Sequence, residues 1–412
     1  MSIDFEPVFR ANWRRAVATV SRMLGDLELA EDAVQDACAA ALLQWPEKGV
    51  PANPSAWLIG TARHKALDRL RRESQRSDKE AATMRELGEP ASARDEGPTR
   101  DDELSLIFMC CHPALDIGVR VPLTLRSLCG LTTTAIAAVF LVPEATMAQR
   151  LVRAKRKIRQ AGIPFRVPPA EELPKRLDDV LRVLYLVFTE GHRASSGDAL
   201  VRADLCEEAI RLARVLRELL PEEPEVMGLL ALLLLTDARR PARVDDQDHL
   251  VLLADQDRRL WDHAKITEGS ALVEDALRAG RPGSYQLQAA IAACHSTAAS
   301  AGDTDWGQIA LLYGELIRYQ ATAVVEANRA IAVAMSEGPA LGLVILDVLV
   351  TSPQLAQWSQ LHVARADLLA RVGRISEAVD AYRTALQCEP PAAERMFITR
   401  RISQLTRSHH GR

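Results

Sequence analysis

Aromatic side chains are scarce in this chain of 412 residues: seven Phe, six Trp and five Tyr make up 4% of it, against 48% for hydrophobic residues as a whole. A core with so few rings is filled largely by Ala and Leu, which favour helices, and strand-rich architectures built on aromatic and β-branched residues are disfavoured. An all-α fold is therefore expected, with a length that allows two to four domains. Long apolar runs are missing as well. The longest, Met227 to Leu235, falls well short of the ~20 residues that cross a bilayer. The opening MSIDFEPVFR has no basic stretch leading into an apolar one, so no membrane partner is expected and a cytoplasmic location is.

The seven cysteines are odd in number and follow no disulfide-like spacing, which suits a reducing compartment. Cys110-Cys111-His112 looks at first like a metal site. Adjacent cysteines do not easily reach one ion together and no CxxC follows, so buried thiols are the expectation. Walker-type glycine loops, HExxH and GxSxG are absent, Glu190-Gly191-His192 is too short and isolated to be a site, and His249, His263 and His295 stand alone. Neither enzymatic activity nor a cofactor is expected.

What is present is an uneven charge. The formal net charge is −4, yet residues 104–169 carry nine Lys or Arg against two Asp or Glu, while residues 170–412 carry 27 against 34. One segment is built for a polyanion and the remainder is not. Within it, TTTAIAAVFLVPEATMAQRLVRAKRKIRQ (132–160) reads as two helices joined by a tight corner. The first has threonines for its cap and places Ile136, Ala137, Val139 and Phe140 inward. It ends at Leu141 and Val142, because Pro143 biases its predecessor away from helix and suits the first position of a new one. The second runs from Glu144, with Ala145, Ala148, Leu151, Val152 and Ile158 expected in the core. This is the layout of a helix-turn-helix, whose second helix enters the major groove. Thr146, Gln149, Arg150 and Arg153 are the candidates for base edges or phosphate clamps, and Lys155, Arg156 and Arg159 for backbone phosphates. The alternative is an ordinary solvated basic helix.

Towards the amino terminus, residues 5–24 read as a helix with Phe5, Val8, Phe9, Trp13, Val17 and Val20 on one side. Asp26 caps the next, expected to bury Ala30, Ala33, Val34, Ala37, Ala41 and Leu42 and to show Glu31, Asp32, Gln35 and Asp36 to solvent. That acidic patch serves either solubility or a basic helical partner. After the loop PEKGVPANP, Asn53 and Pro54 open a third helix with Leu58, Ile59, Ala62, Ala66, Leu67 and Leu70 inside. Arg63, Lys65, Arg69, Arg71 and Arg72 lie outside, and residues 57–73 hold five basic against two acidic side chains. Trp57 beside them is either core or a surface on which an unstacked base rests, as single-stranded DNA binding requires.

LAEDAVQDACAAAL, then NPSAWLIGTARHKALDRLRR, then CGLTTTAIAAVFLVPEATMAQRLVRAKRKIR, in that order and separation, resemble the extracytoplasmic-function (ECF) group of bacterial sigma factors over roughly residues 5–165. The resemblance implies that Asp32, Gln35 and Asp36 face core RNA polymerase. It implies that Trp57, Arg63, Lys65, Arg69 and Arg72, with the loop from Pro46 to Pro54, meet the melted minus-ten strand of promoter DNA. Thr146, Gln149, Arg150, Arg153, Lys155 and Arg156 would read the minus-thirty-five element. Where many relatives have Gly in the corner and Ser as the cap of the recognition helix, this chain has Leu141 and Pro143. The expected organisation is a first sigma domain at 1–73, a flexible acidic linker at 74–103, with five basic and nine acidic residues, and a second sigma domain at 104–166.

Sigma factors of this group usually stop near there, whereas this chain continues. Residues 170–412 are expected to be helical throughout. In residues 361–405, Ala364, Leu368, Gly373, Ala378, Tyr382, Ala385 and Pro390 fall at tetratricopeptide (TPR) spacing, and other helix pairs match more loosely. Such arrays expose a groove for a peptide or helix, so a protein or peptide partner is one expectation. The other is a helical domain that only holds the sigma module. The resemblance extends to the ECF sub-group with a TPR-like extension, which implies regulation through that extension. A stand-alone helix-turn-helix regulator with a TPR sensing domain is the competing reading, as is a TPR scaffold.

Overall fold

The computed structural model describes residues 5–77, 99–140, 142–192, 203–245, 251–352, 355–390 and 392–410. Among them are eighteen α-helices and no strand, as the composition predicts. The chain divides into two compact units, Met1–Val187 and Phe188–Arg412, so the division falls inside a helix rather than at the Pro-rich stretch before it.

The first unit begins with α1 (Glu6–Leu24), α2 (Leu27–Lys48) and α3 (Pro54–Ser77). Gly25 turns the corner after α1 with φ +67°, a left-handed conformation that glycine adopts without Cβ strain, and Asp26 caps α2 by accepting from the Leu29 N–H at 3.0 Å. Asn53 caps α3 through the Ala56 N–H at 3.0 Å. Phe5, Phe9, Trp45 and Trp57 form one aromatic cluster, with Trp45 and Trp57 edge to face at 5.4 Å. Three expectations fail here. α2 continues through Pro46 to Lys48, shortening the loop expected from Pro46, and Leu42 of α2 and Leu70 of α3, both expected inside, are exposed.

α4 (Arg100–Cys110), α5 (Ile117–Ser127), α6 (Thr133–Val139) and α7 (Glu144–Gln160) follow, then α8 (Leu173–His192). Thr99 and Asp102 close a capping box on α4, so residues 100–103, read as linker, form its first turn. The rest of the expected linker, 78–98, lies outside the described residues. Asp102 and Glu103 are buried against α1, where Arg22 reaches Asp102 at 2.8 Å and Arg14 and Arg15 reach Glu103 at 2.7 and 3.0 Å. Cys110, Cys111 and Cys129 are buried and outside any disulfide, and burial pushes the Cys111 thiol up to about 12. No metal-holding group of side chains occurs among the described residues.

In the second unit, α9 (Ala203–Leu219), α11 (His263–Arg278) and α12 (Ser284–Thr297) surround α10 (Pro224–Asp237), which is apolar on nearly every side and buried accordingly. The Glu225 carboxylate on α10 accepts from the Tyr285 and Gln286 N–H groups, both at 3.0 Å, and so caps α12 from outside. The remaining helices, α13 (Trp306–Tyr319), α14 (Ala323–Glu337), α15 (Pro339–Leu349), α16 (Ser359–Arg371), α17 (Ile375–Gln387) and α18 (Ala392–His410), pack each on the next. Leu368, Ala378, Tyr382 and Ala385 are buried in one cluster, and Gly373 makes the α16–α17 corner at φ +81°. No described helix is long and apolar enough to cross a membrane.

Gly130, between α5 and α6, has φ +72°, and a Cβ there would lie 2.9 Å from the Trp13 indole of α1. The same indole donates to the Ser127 carbonyl at 3.1 Å. Gly130→Ala therefore combines backbone strain with overpacking and should cost about 2 kcal/mol or more, read as a lower urea midpoint for the first unit.

Candidate nucleic-acid interface

The α6–α7 corner forms for the reasons its sequence suggests. Thr132 accepts from the Ala135 N–H at 3.1 Å, and Val142, held non-helical before Pro143, closes the turn by donating to the Ala137 carbonyl at 3.1 Å. Pro143 itself is the residue before α7, not its first helical one. The buried stripe of α7 is Met147, Leu151, Ala154 and Ile158. Val152 and Ala145, expected inside, are exposed, and Met147 takes the place assigned to Ala145 and Ala148. The stripe follows a 4-3-4 spacing, which one choice of starting residue displaces.

Opposite that stripe, Thr146, Gln149, Arg150, Arg153 and Arg156 are all exposed, spaced so as to share the outer face of the helix. No carboxylate among the described residues pairs with Arg150, Arg153 or Arg156. Four of the six residues expected to read duplex DNA thus stand together at the amino-terminal half of α7, with Arg156 one turn on.

Lys155 stands apart. Its ammonium lies 2.6 Å from a carboxylate oxygen of Glu31 on α2, and both side chains are nearly closed to solvent, at 12% and 1% exposure. The Ser127 hydroxyl donates to the other Glu31 oxygen at 2.5 Å and Arg126 stands 3.8 Å away. One turn further, Arg159 bridges Asp26 at 3.0 Å and Glu28 at 3.2 Å. The amino-terminal end of α2 carries acids and the carboxy-terminal end of α7 carries bases, each favourable to its own helix dipole and attractive to the other. Glu31 was expected on the solvent face with Asp32, Gln35 and Asp36. Its position four residues after Leu27 and three before Val34, both buried, is the signal that places it on the inner stripe.

Gln35 and Asp36 are exposed on α2. Asp32 is not alone there: Arg69 of α3 donates to it at 2.9 Å, so a residue expected to face polymerase and one expected to face melted DNA hold each other. Lys65 is exposed, Arg63 is half-buried, and Trp57 is half-buried against Trp45. Arg72 is on the same helix, but its side chain lies outside the described residues.

Burial alone would raise the Asp26 carboxyl, but the Leu29 N–H and the Arg159 guanidinium outweigh it and hold the carboxyl below its ordinary value. A carboxyl depressed in the folded state adds stability that is full above the unfolded value, about 4, and is lost as pH falls through the folded value. Acidification from pH 5 to 3 should therefore weaken the α2–α7 contact. Asp26→Asn should flatten that part of the stability profile, measured as urea midpoints across the range.

Residues 8–76 match the family model of sigma-70 region 2, residues 105–158 that of sigma-70 region 4, and residues 176–277 a family of unknown function, DUF6596. The chain is 43% identical over 399 residues to the uncharacterized protein R00370 of Rhizobium meliloti (strain 1021), a match that covers 95% of this chain and 93% of that protein. It is 30% identical over 194 residues to the probable ECF RNA polymerase sigma factor SigI of Mycobacterium tuberculosis, covering 46% of this chain and 62% of that protein. With regions 2 and 4 in order, a helix-turn-helix in the second and a helical extension beyond, the chain belongs to the ECF-type sigma factors.

Proposed function

We propose that this sigma factor reads a promoter with two of its surfaces and is governed by its carboxy-terminal unit. The observation that carries the reading is the exposed row on α7, whose Arg150 and Arg153 pair with no carboxylate among the described residues. Thr146, Gln149, Arg150 and Arg153 have the reach and donor geometry for base edges and phosphates of an intact major groove at the minus-thirty-five element, with Arg156 and Lys155 on flanking phosphates. On α3, Lys65, Arg63, Arg69 and Arg72 follow the backbone of the parted minus-ten strand. Trp57, though packed on Trp45, is open enough to take a base. On α2, Gln35 and Asp36, with Asp32 at their side, meet core RNA polymerase. The working organisation is region 2 within 1–73, region 4 within 104–166, the linker between them, and a TPR-like domain from 170 onwards. The cytoplasm, where core polymerase and chromosome are found, is the place of action.

The extension is proposed to regulate. Consecutive helices from α13 to α18, each packed on its neighbour, support a TPR-like array that takes a protein or peptide partner. Regulation through that unit, rather than mere attachment, is supported by its size relative to the sigma module.

Three outcomes follow in transcription assays with purified core polymerase. Arg150→Ala or Arg153→Ala should weaken recognition of the upstream element by about 1–3 kcal/mol where the side chain is bidentate to a base, and uniformly across sequences where it holds a phosphate. Asp36→Lys should lower affinity for core polymerase while the helical content stays unchanged, and normal affinity would remove α2 from the polymerase face. A chain ending at His192 should lose regulated output, and identical output and response would remove the extension from the mechanism.

A further inference from the structure

Between α10 and α11 the Asp262 N–H donates to the Ala238 carbonyl at 2.9 Å, which closes the connection on itself. The closure brings Arg239, at its start, alongside Trp261, at its end. Arg258 holds its guanidinium carbon 4.4 Å from the centre of the Trp261 ring, and its Nη1 donates to the carbonyls of His295 on α12 and of Ala298 just beyond, both at 2.8 Å. Two groups of this cluster lack what burial demands. Trp261 is 3% exposed, yet its Nε1–H finds no acceptor among the described residues. Arg239, half-buried, has neither a hydrogen bond nor an ion pair among them. Burial, with the neighbouring Arg243 and Arg258 guanidiniums, pulls Arg239 down to about 10, and burial with Arg239 and Arg258 pulls His295 down to about 4. A desolvated cation and a buried indole donor both carry a cost until an acceptor meets them.

The acids nearby do not fill that need. Asp237 is held by Lys265 at 2.8 Å and by Arg240 at 3.4 Å, and Glu207 by Arg240 at 3.1 Å. Asp303 acts on the Arg258 charge but forms no ion pair with it. We infer that Arg239, Arg258 and Trp261 form a binding site for a phosphate group, that of a small phosphorylated metabolite. A guanidinium fork matches two phosphate oxygens, an indole N–H suits another, and two positive charges balance a dianion where a single carboxylate leaves one of them over. All three residues fall within 176–277, the segment that matches the family of unknown function, and the inference gives that segment a ligand. It goes beyond the regulatory reading above, which supplies the second unit with a protein or peptide partner, by adding a small molecule.

The test is calorimetric titration of the full-length chain with inorganic phosphate. Neither polymerase nor template is present, so its failure is separate from a failure of the regulatory reading. Wild type should bind phosphate saturably with a dissociation constant of about 1 mM or lower, the range open to so small a ligand, and phosphate should raise its thermal midpoint. Arg239→Met should weaken binding at least tenfold while the phosphate-free midpoint stays the same or rises, because a desolvated charge without a partner has been removed. Trp261→Phe keeps the ring and removes the donor. It should weaken binding several-fold, and it carries the test if Arg239→Met does not fold. Arg259→Gln alters an exposed neighbour already held by Asp257 at 2.7 Å and should bind as wild type does. No saturable binding by wild type, or an equal loss in Arg259→Gln, overturns the site. A less stable Arg239→Met that binds phosphate normally makes that arginine structural and overturns its role. Tighter binding of succinate than of phosphate overturns the phosphate assignment in favour of a dicarboxylate.

Discussion

The first unit depends on a single buried carboxylate. Glu31 is closed to solvent on a helix otherwise packed through apolar side chains, and it is held by the Lys155 ammonium and the Ser127 hydroxyl with Arg126 near. A charge in that position is tolerable only with partners of opposite sign and donors for its lone pairs. All of those partners come from the region 4 half of the unit. The carboxylate therefore works as a pin whose removal from either side leaves an uncompensated charge on the other.

The same logic repeats along the seam. Asp102 and Glu103 face Arg22, Arg14 and Arg15 of α1, while the Trp13 indole spans the boundary to the Ser127 carbonyl and covers Gly130. These contacts are mainly polar, and polar contacts between domains specify geometry more than they add stability. An interface of this kind fixes how region 2 and region 4 meet. The extension has the opposite character: α10 buries almost its whole circumference in aliphatic contacts and needs only Glu225 to settle the end of α12.

Much of the candidate site was legible because it is local. Thr132, Pro143 and the outward row of Thr146, Gln149, Arg150 and Arg153 follow from capping, from the restriction that proline places on its predecessor and from helical period, all within thirty residues. The errors were also local in kind. Val152 and Ala145 face solvent because the buried stripe of α7 starts at Met147, and Leu42 because it lies one residue round α2 from the buried line of Ala41 and Trp45.

The amino-acid order by itself determined the helices, their caps, the segregation of basic from acidic segments and the succession of region 2, region 4 and extension, since each depends on neighbours in the chain. Only the tertiary structure decided which charges meet solvent and which meet each other. Glu31 looks no different from Asp32 or Asp36 in a string of letters. Its environment is set by Lys155 and Ser127, which are remote in sequence and reach it only once α2 and α7 have been brought side by side, and a charge is buried or exposed according to what lies across from it in space.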